Sequence, residues 1–145
     1  MLYDVRSKNI LKKLTMEARS NVVAWNPMEP LYFTLGSEDY NCYTFDMRRL
    51  EKAYRVHSDH VSAVMDIDFS PTGKEFVTGS YDTTIRIFKS DSMFSREIYY
   101  TSRMKKIFKV LFSPDSNWVK INSFNSFFSF ILFPFHFFFL DSLWF

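Results

Sequence analysis

The chain has 145 residues, which suits one domain of ordinary size, and its 18 Lys and Arg against 16 Asp and Glu leave a net charge of only +2. This mild charge does not by itself indicate a nucleic-acid partner. The single cysteine, Cys42, excludes an internal disulfide and fits a reducing compartment. Three histidines beside one cysteine argue against a structural zinc site.

The first elements of the chain repeat one another. Tyr3 precedes Phe45 by 42 residues within similar motifs, which predicts that the chain starts inside a repeat. The stretch VVAWNPMEPLYFTLGSEDYNCYTFD (22–46) aligns with MDIDFSPTGKEFVTGSYDTTIRIFK (65–89) at a spacing of 43 to 44 residues. A third copy begins at KVLFSPDSNWV (109–119). A period of this length indicates a repeat architecture.

The clearest repeat predicts four short strands. Alternating apolar and polar residues in HVSAVMDIDF (60–69) predict a half-buried first strand that begins at Val61. SPTG predicts a type I turn, KEFVTGS a second strand, and TTIRIF a third strand with Ile85 and Ile87 on one face. A fourth strand is predicted near REIYYT (96–101). Four antiparallel strands in about 43 residues is the period of a propeller blade.

The C-terminal segment has a different composition. Ten of the 18 phenylalanines lie between Phe124 and Phe145, where Asp141 is the one charged residue. The apolar run from Phe127 to Leu140 has 14 residues, short of the about 20 that a membrane-spanning helix needs. Phe, Ser, Leu and Pro all have codons made wholly of pyrimidines. We therefore interpret the tail as translated, pyrimidine-rich non-coding sequence that does not join the fold; the alternative is a weakly inserting or interfacial membrane segment.

One stretch, DFSPTGKEFVTGSYDTTIRIF, resembles a WD repeat. In that family a His before the blade, a Ser or Thr on the second strand, an Asp in the tight turn and a Trp on the third strand form a hydrogen-bonded set. The resemblance assigns these roles to His60, to Thr78 or Ser80, and to Asp82. Phe88 stands in the place of the Trp, so the set lacks one donor.

Longer stretches resemble one family in particular. NPMEPLYFTLGSEDYNCYTFDMRRL and HSDHVSAVMDIDFSPTGKEFVTGSYDTTIRIF, followed by SREIYYTSRM, are similar to the late blades of the Sof-type WD-repeat proteins of the small-subunit processome, which are also described as cullin-four-associated factors. The resemblance implies a non-enzymatic scaffold without a cofactor that supports small-subunit rRNA processing in the nucleolus. Its partners would be processome proteins and the small nucleolar ribonucleoprotein. The alternatives are a substrate receptor of a cullin-four ubiquitin ligase and a truncated product without a function of its own.

An aromatic-Asp-x-Arg pattern occurs twice, at the end of a predicted third strand. It places Asp4 with Arg6 and Asp46 with Arg48. In WD-repeat adaptors of the cullin-four ubiquitin ligases, which this pattern resembles, the Arg docks the linker protein. An Arg fork beyond a strand end can bind acceptors of a partner in a fixed geometry. The alternative is an Arg at the rim of the blade that pairs with a neighbouring acid.

The densest basic stretch is RMKKIFK (103–109), with Arg103, Lys105, Lys106 and Lys109 around an aromatic residue. Such a stretch predicts either contact with RNA phosphates or a solvated strand start.

The motif HSDH (57–60) contains residue types used in catalysis and metal binding. Catalytic triads are assembled by the fold and not by adjacency in sequence, and a metal needs further ligands. The resemblance already gives His60 a structural role. We therefore predict no catalytic residue and no metal site.

The sequence predicts an all-β fold, a partial WD-repeat β-propeller of about two to three blades with a non-propeller, Phe-rich C-terminal tail. The propeller is predicted over residues 1–121, with blades at about 18–60 and 61–103 and the start of another at 104–121; the tail covers 122–145. These blades cannot close a ring alone. Open sheet edges and an exposed tail therefore predict a poorly soluble chain.

Overall fold

The computed structural model describes residues 2–3, 6, 9–100, 105–123, 129–132 and 137–138. Within these ranges the chain forms strands, turns and loops, and its 14 strands make one two-stranded ribbon and three four-stranded sheets. No helix in this part of the chain is long and apolar enough to cross a membrane. The prediction of an all-β, partial propeller fold is confirmed.

The ribbon and the first sheet occupy the N-terminal part. In the ribbon, β1 (Leu2–Tyr3) pairs antiparallel with β2 (Ile10–Lys12). In the first sheet each strand pairs antiparallel with the next one in sequence. Its strands are β3 (Ser20–Trp25), β4 (Tyr32–Ser37), β5 (Asn41–Asp46) and β6 (Arg55–Ser58). The ribbon has the same antiparallel pairing as β5 and β6, one repeat earlier in the sequence.

The second sheet has the four strands that the sequence predicts. They are β7 (Val64–Phe69), β8 (Glu75–Ser80), β9 (Ile85–Lys89) and β10 (Ser95–Tyr99). Each strand again pairs with its neighbour in sequence. Gly73, in the turn between β7 and β8, has a φ of 67°, a conformation in which glycine avoids the clash of a side chain.

The first strand of the second sheet begins later than the alternation predicts. It starts at Val64, whereas Val61 lies in the preceding loop and is 74% exposed. A register shift between Val64 and Asp66 accounts for the difference. An extra residue at such an irregularity changes which side chains face the core. Val64 and Ile67 are therefore buried in one cluster.

The third sheet repeats the same strand order. It consists of β11 (Ile107–Phe112), β12 (Val119–Ser123), β13 (Ser129–Leu132) and β14 (Phe137–Phe138).

The end of the propeller that the sequence predicts at residue 121 stays a prediction. β12 runs to Ser123, β13 of the Phe-rich tail pairs with β12, and β14 pairs with β13. A strand edge presents unpaired N–H and C=O groups, and an adjacent segment with Phe and Ile is well suited to pair with them. Residues 124–128, 133–136 and 139–145 lie outside the described residues.

Both faces of the second sheet are covered. Phe76 on β8 and Phe88 on β9 pack toward the first sheet, in a cluster that includes Cys42. Val77 and Ile87, their neighbours in sequence, pack toward the third sheet. Successive side chains of a strand point to opposite faces, so these strands are apolar on both sides. Three sheets stacked in chain order are the arrangement of consecutive propeller blades.

Two glycines allow the sheets to approach closely. Gly36 on β4 and Gly79 on β8 are 43 residues apart in sequence. A Cβ atom on Gly36 would lie 2.8 Å from Val22 Cγ1 and 2.9 Å from Val64 Cγ1, and one on Gly79 would lie 2.6 Å from Ile107 Cγ2. Carbon atoms normally approach no closer than about 3.5 Å. The repeated glycine is therefore a requirement of the packing between sheets.

We expect Gly79→Ala to lower the free energy of unfolding by about 1–3 kcal/mol, because the new methyl group meets the stiff, branched Ile107. In an open strand the same change would be favourable, since glycine loses more backbone entropy on folding. Urea unfolding followed by tryptophan fluorescence measures the effect. Glu51→Ala, at an exposed loop position, is the control. Equal stability of Gly79→Ala and the parent chain would contradict the close packing.

Two aspartates connect the second sheet to the third. Asp66 Oδ2 accepts a hydrogen bond from Val110 N at 2.9 Å, and Asp68 Oδ2 accepts one from Phe112 N at 2.7 Å. The alternating pattern predicts that these aspartates face solvent. Instead they satisfy backbone donors at the edge of β11, which fixes where the third sheet lies.

The outer face of the first sheet is only partly covered, by Leu2, Leu14 and Met16, which pack against a buried cluster that contains Phe33 and Phe45. Val23 is 54% exposed and Trp25 is 46% exposed. Beside them lies an apolar cavity of about 380 Å³, lined in part by Phe33 and Leu35. Exposed apolar surface of this kind favours association, so the prediction of poor solubility has a structural reason.

Candidate functional site

The structure brings His60, Thr78 and Asp82 together. The Nδ1 atom of His60 lies 2.9 Å from Asp82 Oδ2, and its Nε2 atom lies 2.7 Å from Thr78 Oγ1. The loop before β7, the strand β8 and the turn after β8 each supply one of these side chains. The side chains of His60 and Asp82 are only 1% and 3% exposed. The network therefore ties three segments of one sheet together inside the protein.

Asp82 is the centre of the tight turn between β8 and β9. Its Oδ1 accepts hydrogen bonds from the backbone N and the hydroxyl of Thr84, at 2.8 and 2.6 Å, and its Oδ2 accepts one from Val61 N at 3.2 Å. Burial by itself raises the pKa of Asp82, but the hydrogen bonds from His60 and Thr84 outweigh it, and the pKa falls well below its usual range. Asp82 therefore stays ionised.

Ser80, the alternative to Thr78, has a different role. Its hydroxyl donates to Ala63 O at 2.9 Å and accepts a hydrogen bond from Asp82 N at 3.2 Å. It therefore shapes the turn. Phe88, in the place of the Trp, is fully buried and stacks on Phe76 with ring centroids 5.3 Å apart. Ring packing thus occupies the position where the resemblance places a hydrogen-bond donor.

The first sheet builds the same turn without a histidine. Asp39 lies 43 residues before Asp82. Its Oδ2 accepts a hydrogen bond from the Tyr43 hydroxyl at 2.6 Å, and its Oδ1 accepts one from Asn41 N at 3.2 Å. A tyrosine from the following strand therefore takes the part that His60 has in the second sheet.

The residue after each turn aspartate has a left-handed backbone. Tyr40 has a φ of 75° and Thr83 has a φ of 67°. A β-branched residue in this region is strained. We expect Thr83→Gly to raise the melting temperature by a few degrees, since it removes a strain of about 1 kcal/mol. Differential scanning fluorimetry measures the change, and Thr72→Gly, at an exposed turn position, is the control. A lower melting temperature for Thr83→Gly would contradict this account.

A second buried histidine was missed in the sequence. His57, on β6, is 1% exposed, and its Nδ1 donates to the backbone O of Ser92, which follows β9 of the next sheet, at 2.6 Å. A carbonyl can only accept, so Nε2 of the neutral ring accepts from the Thr44 hydroxyl at 2.9 Å. Thr34 lies 2.8 Å further along, hydroxyl to hydroxyl. The motif HSDH does not indicate that His57 links the first sheet to the second.

Burial controls the charge of His57. Its ring contacts Phe76 and Phe88 edge-on, with centroids 4.9 and 5.6 Å apart. Burial lowers the pKa of His57 to about 4, although the hydrogen bond to Ser92 opposes the shift. The ring is therefore neutral at physiological pH.

The aromatic-Asp-x-Arg pattern forms an ion pair within its own loop. Arg48 Nη2 lies 2.7 Å from Asp46 Oδ2, and Arg48 Nε lies 3.0 Å from Asp46 Oδ1. The side-chain and backbone hydrogen bonds from Arg48 lower the pKa of Asp46 to about 2. The Arg48 side chain is still 61% exposed at the rim. Arg6 is exposed too, while Asp4 lies outside the described residues.

The basic stretch is split among several environments. Lys109 pairs with Asp66 at 3.4 Å, and Lys106 Nζ lies 4.8 Å from the centroid of the Tyr81 ring. Lys105 is exposed, and Arg103 lies outside the described residues. Two of the four predicted basic residues therefore form contacts within the protein.

In the described ranges, no three His, Cys, Asp or Glu side chains come close enough together to hold a metal ion.

The sequence model of the family described as "WD domain, G-beta repeat" matches residues 51–89. The match covers the buried network of the second sheet, with His60, Thr78 and Asp82.

Curated relatives match most of the chain. DDB1- and CUL4-associated factor 13 of Danio rerio is 52% identical over 85% of this chain and 28% of the relative. Protein SOF1 of Saccharomyces cerevisiae is 50% identical over 82% of this chain and 24% of the relative. DDB1- and CUL4-associated factor 13 of Dictyostelium discoideum is 54% identical over 82% of this chain and 27% of the relative. The chain thus spans about a quarter of the length of these relatives.

Proposed function

Because the chain belongs to the Sof-type family of WD-repeat proteins, we propose that it supplies blades to a scaffold of ribosome biogenesis. The scaffold supports small-subunit rRNA processing in the nucleolus, with processome proteins and the small nucleolar ribonucleoprotein as partners. The observation that carries the proposal is the 50% identity with Protein SOF1, over a segment that folds here as stacked blades.

A role in recognition and not in chemistry fits the burial of the polar network. His60 and Asp82 are the residues whose types most suggest catalysis, and their side chains are 1% and 3% exposed. Both are engaged in hydrogen bonds that hold the turn, so a substrate has no access to them. Rims and faces of the blades remain for binding partners.

Exchange of segments in yeast tests the proposal. The part of Protein SOF1 that matches this chain is replaced by residues 9–123, and maturation of small-subunit rRNA is measured by hybridisation to its precursors. We expect normal maturation. The same chimera with Asp82→Ala serves as a control for blade integrity. Precursors that accumulate although the chimera is present at normal levels in the nucleolus would contradict the proposed role.

A second candidate is a substrate receptor of a cullin-four ubiquitin ligase. The name that several relatives share, DDB1- and CUL4-associated factor 13, favours it. Arg48 favours it too, because a guanidinium that is 61% exposed at the blade rim can reach a partner. The Asp46 pair orients this guanidinium and leaves the side chain at the surface.

Replacement of both pattern arginines tests this candidate. We expect Arg6→Ala with Arg48→Ala, made in this chain, to abolish co-purification of the ligase linker while processome association survives. Arg49→Ala, next to Arg48 in sequence, is the matched control. Unchanged linker binding of the double variant would rule the candidate out.

A further inference from the structure

A groove crosses the junction between the first and second sheets. Its volume is about 990 Å³, within the range of ligand sites. One wall comes from the turn after β3 and the start of β6, and the other from the turn before β8 and the loop after β9. The residues of the His60 network and of the Asp46–Arg48 pair do not line the groove.

Cations from both sheets line this groove. Arg55 comes from the first sheet, and Lys74 and Lys89 come from the second. Ser90 N donates to Lys74 O at 2.8 Å, and Lys89 pairs with Glu75, so the two lysines occupy diagonal positions where β8 begins and β9 ends. Both are exposed, and neither forms an ion pair within the described ranges. Their charges are therefore available to a ligand.

One acid of the groove is already neutralised. Glu75 Oε1 lies 2.8 Å from Arg96 Nη1. Glu29 and Asp91 remain on the opposite walls. A nucleic acid carries a negative charge at every phosphate and would be repelled by these two carboxylates. A peptide can place separate acids beside the lysines and neutral or basic residues beside the carboxylates, so mixed charge favours a peptide.

Two tyrosines give the groove an aromatic wall. The rings of Tyr32 and Tyr54 lie 5.1 Å apart, and Arg55 lies 5.6 Å from the centroid of the Tyr54 ring. Tyr54 is 59% exposed. Exposed tyrosine offers apolar contact area together with a hydroxyl for hydrogen bonds, which is why it is enriched at interfaces.

We propose that this groove between Arg55, Lys74 and Lys89 binds an extended acidic peptide segment of a protein partner. The inference deepens the proposed scaffold role by naming one of its surfaces. It is tested by direct binding in vitro, whereas the scaffold role is tested by rRNA maturation in cells. Failure of one therefore leaves the other standing.

The test uses the whole chain and fluorescence anisotropy. The probe is a labelled peptide of Glu, Leu and Gly of about ten residues, which extends to roughly 33 Å. A peptide with Lys in place of Glu and an oligouridylate of similar length are the comparison ligands. We expect the acidic peptide to bind more tightly than both, and added salt to weaken it.

Charge reversal locates the binding. We expect Lys74→Glu with Lys89→Glu to weaken the acidic peptide about tenfold or more. Lys105→Glu with Lys106→Glu makes the same charge change outside the groove. This variant should retain most of the affinity for the acidic peptide. Melting curves of both variants verify that they fold. Absence of binding, equal losses in the two variants, or tighter binding of the oligouridylate would each overturn the proposal.

Discussion

Asp82→Ala is expected to lower the free energy of unfolding by about 3–5 kcal/mol. The substitution removes the acceptor for His60 Nδ1, for Val61 N and for both donors of Thr84. The His60 side chain is 1% exposed, so its Nδ1 donor loses its carboxylate acceptor inside the protein, which costs more than the loss of the bond alone. Urea unfolding of the variant and the parent chain measures the difference.

Asp39→Ala is the matched control, because Asp39 holds the same turn one repeat earlier. Its partners are the Tyr43 hydroxyl and Asn41 N. Tyr43 is less buried than His60, so water can replace the lost acceptor and the expected loss is about 1 kcal/mol. Equal losses for Asp82→Ala and Asp39→Ala would show that the histidine adds nothing to the network.

His57 is expected to make stability depend on pH between about 4 and 6.5. The folded protein holds the pKa of His57 at about 4, below the ordinary value of 6.5. Within this window the unfolded chain therefore binds more protons than the folded one, and stability rises with pH. Over the whole window the gain is about 3 kcal/mol, since one pKa unit corresponds to about 1.4 kcal/mol. Melting temperatures across the window measure it.

Two variants isolate this effect from other titrating groups. His57→Gln has no charge to gain at any pH, so its stability should change much less across the window than that of the parent chain. Thr44→Ala removes one hydrogen-bond partner but keeps the buried ring. This variant should therefore be less stable than the parent chain at every pH, and its stability should still rise with pH. If the stability of His57→Gln and of the parent chain rose equally with pH, His57 would be excluded as the origin of the pH dependence.

The strands of the second sheet were predictable because local signals agreed there. The turn at SPTG, the β-branched Ile85 and Ile87 on β9 and the Phe-Val-Thr segment of β8 all favour the strands that form. The start of β7 was not predictable in the same way. A register shift between Val64 and Asp66 moves the core face by one residue, and alternation alone contains no sign of it.

The network site was predicted by resemblance, and the structure brings its three residues together. The link through His57 was not predicted, because its partner is the backbone carbonyl of Ser92, 35 residues away. Any residue type can supply a carbonyl, so the sequence carries no mark of it. The ion pair between Lys109 and Asp66 of the neighbouring sheet was likewise not predictable, because the two residues are 43 apart in sequence.

Amino-acid order alone is enough to establish the repeat and the type of fold of this protein. A spacing of 43 residues, strands with alternating side chains and turn residues are all local properties. Packing between sheets settles the rest. It decides that Gly36 and Gly79 must lack a side chain, that Asp66 and Asp68 face a neighbouring strand, and that His57 is neutral. Each of these features depends on contacts between atoms of two blades. Such contacts form only when the blades stack.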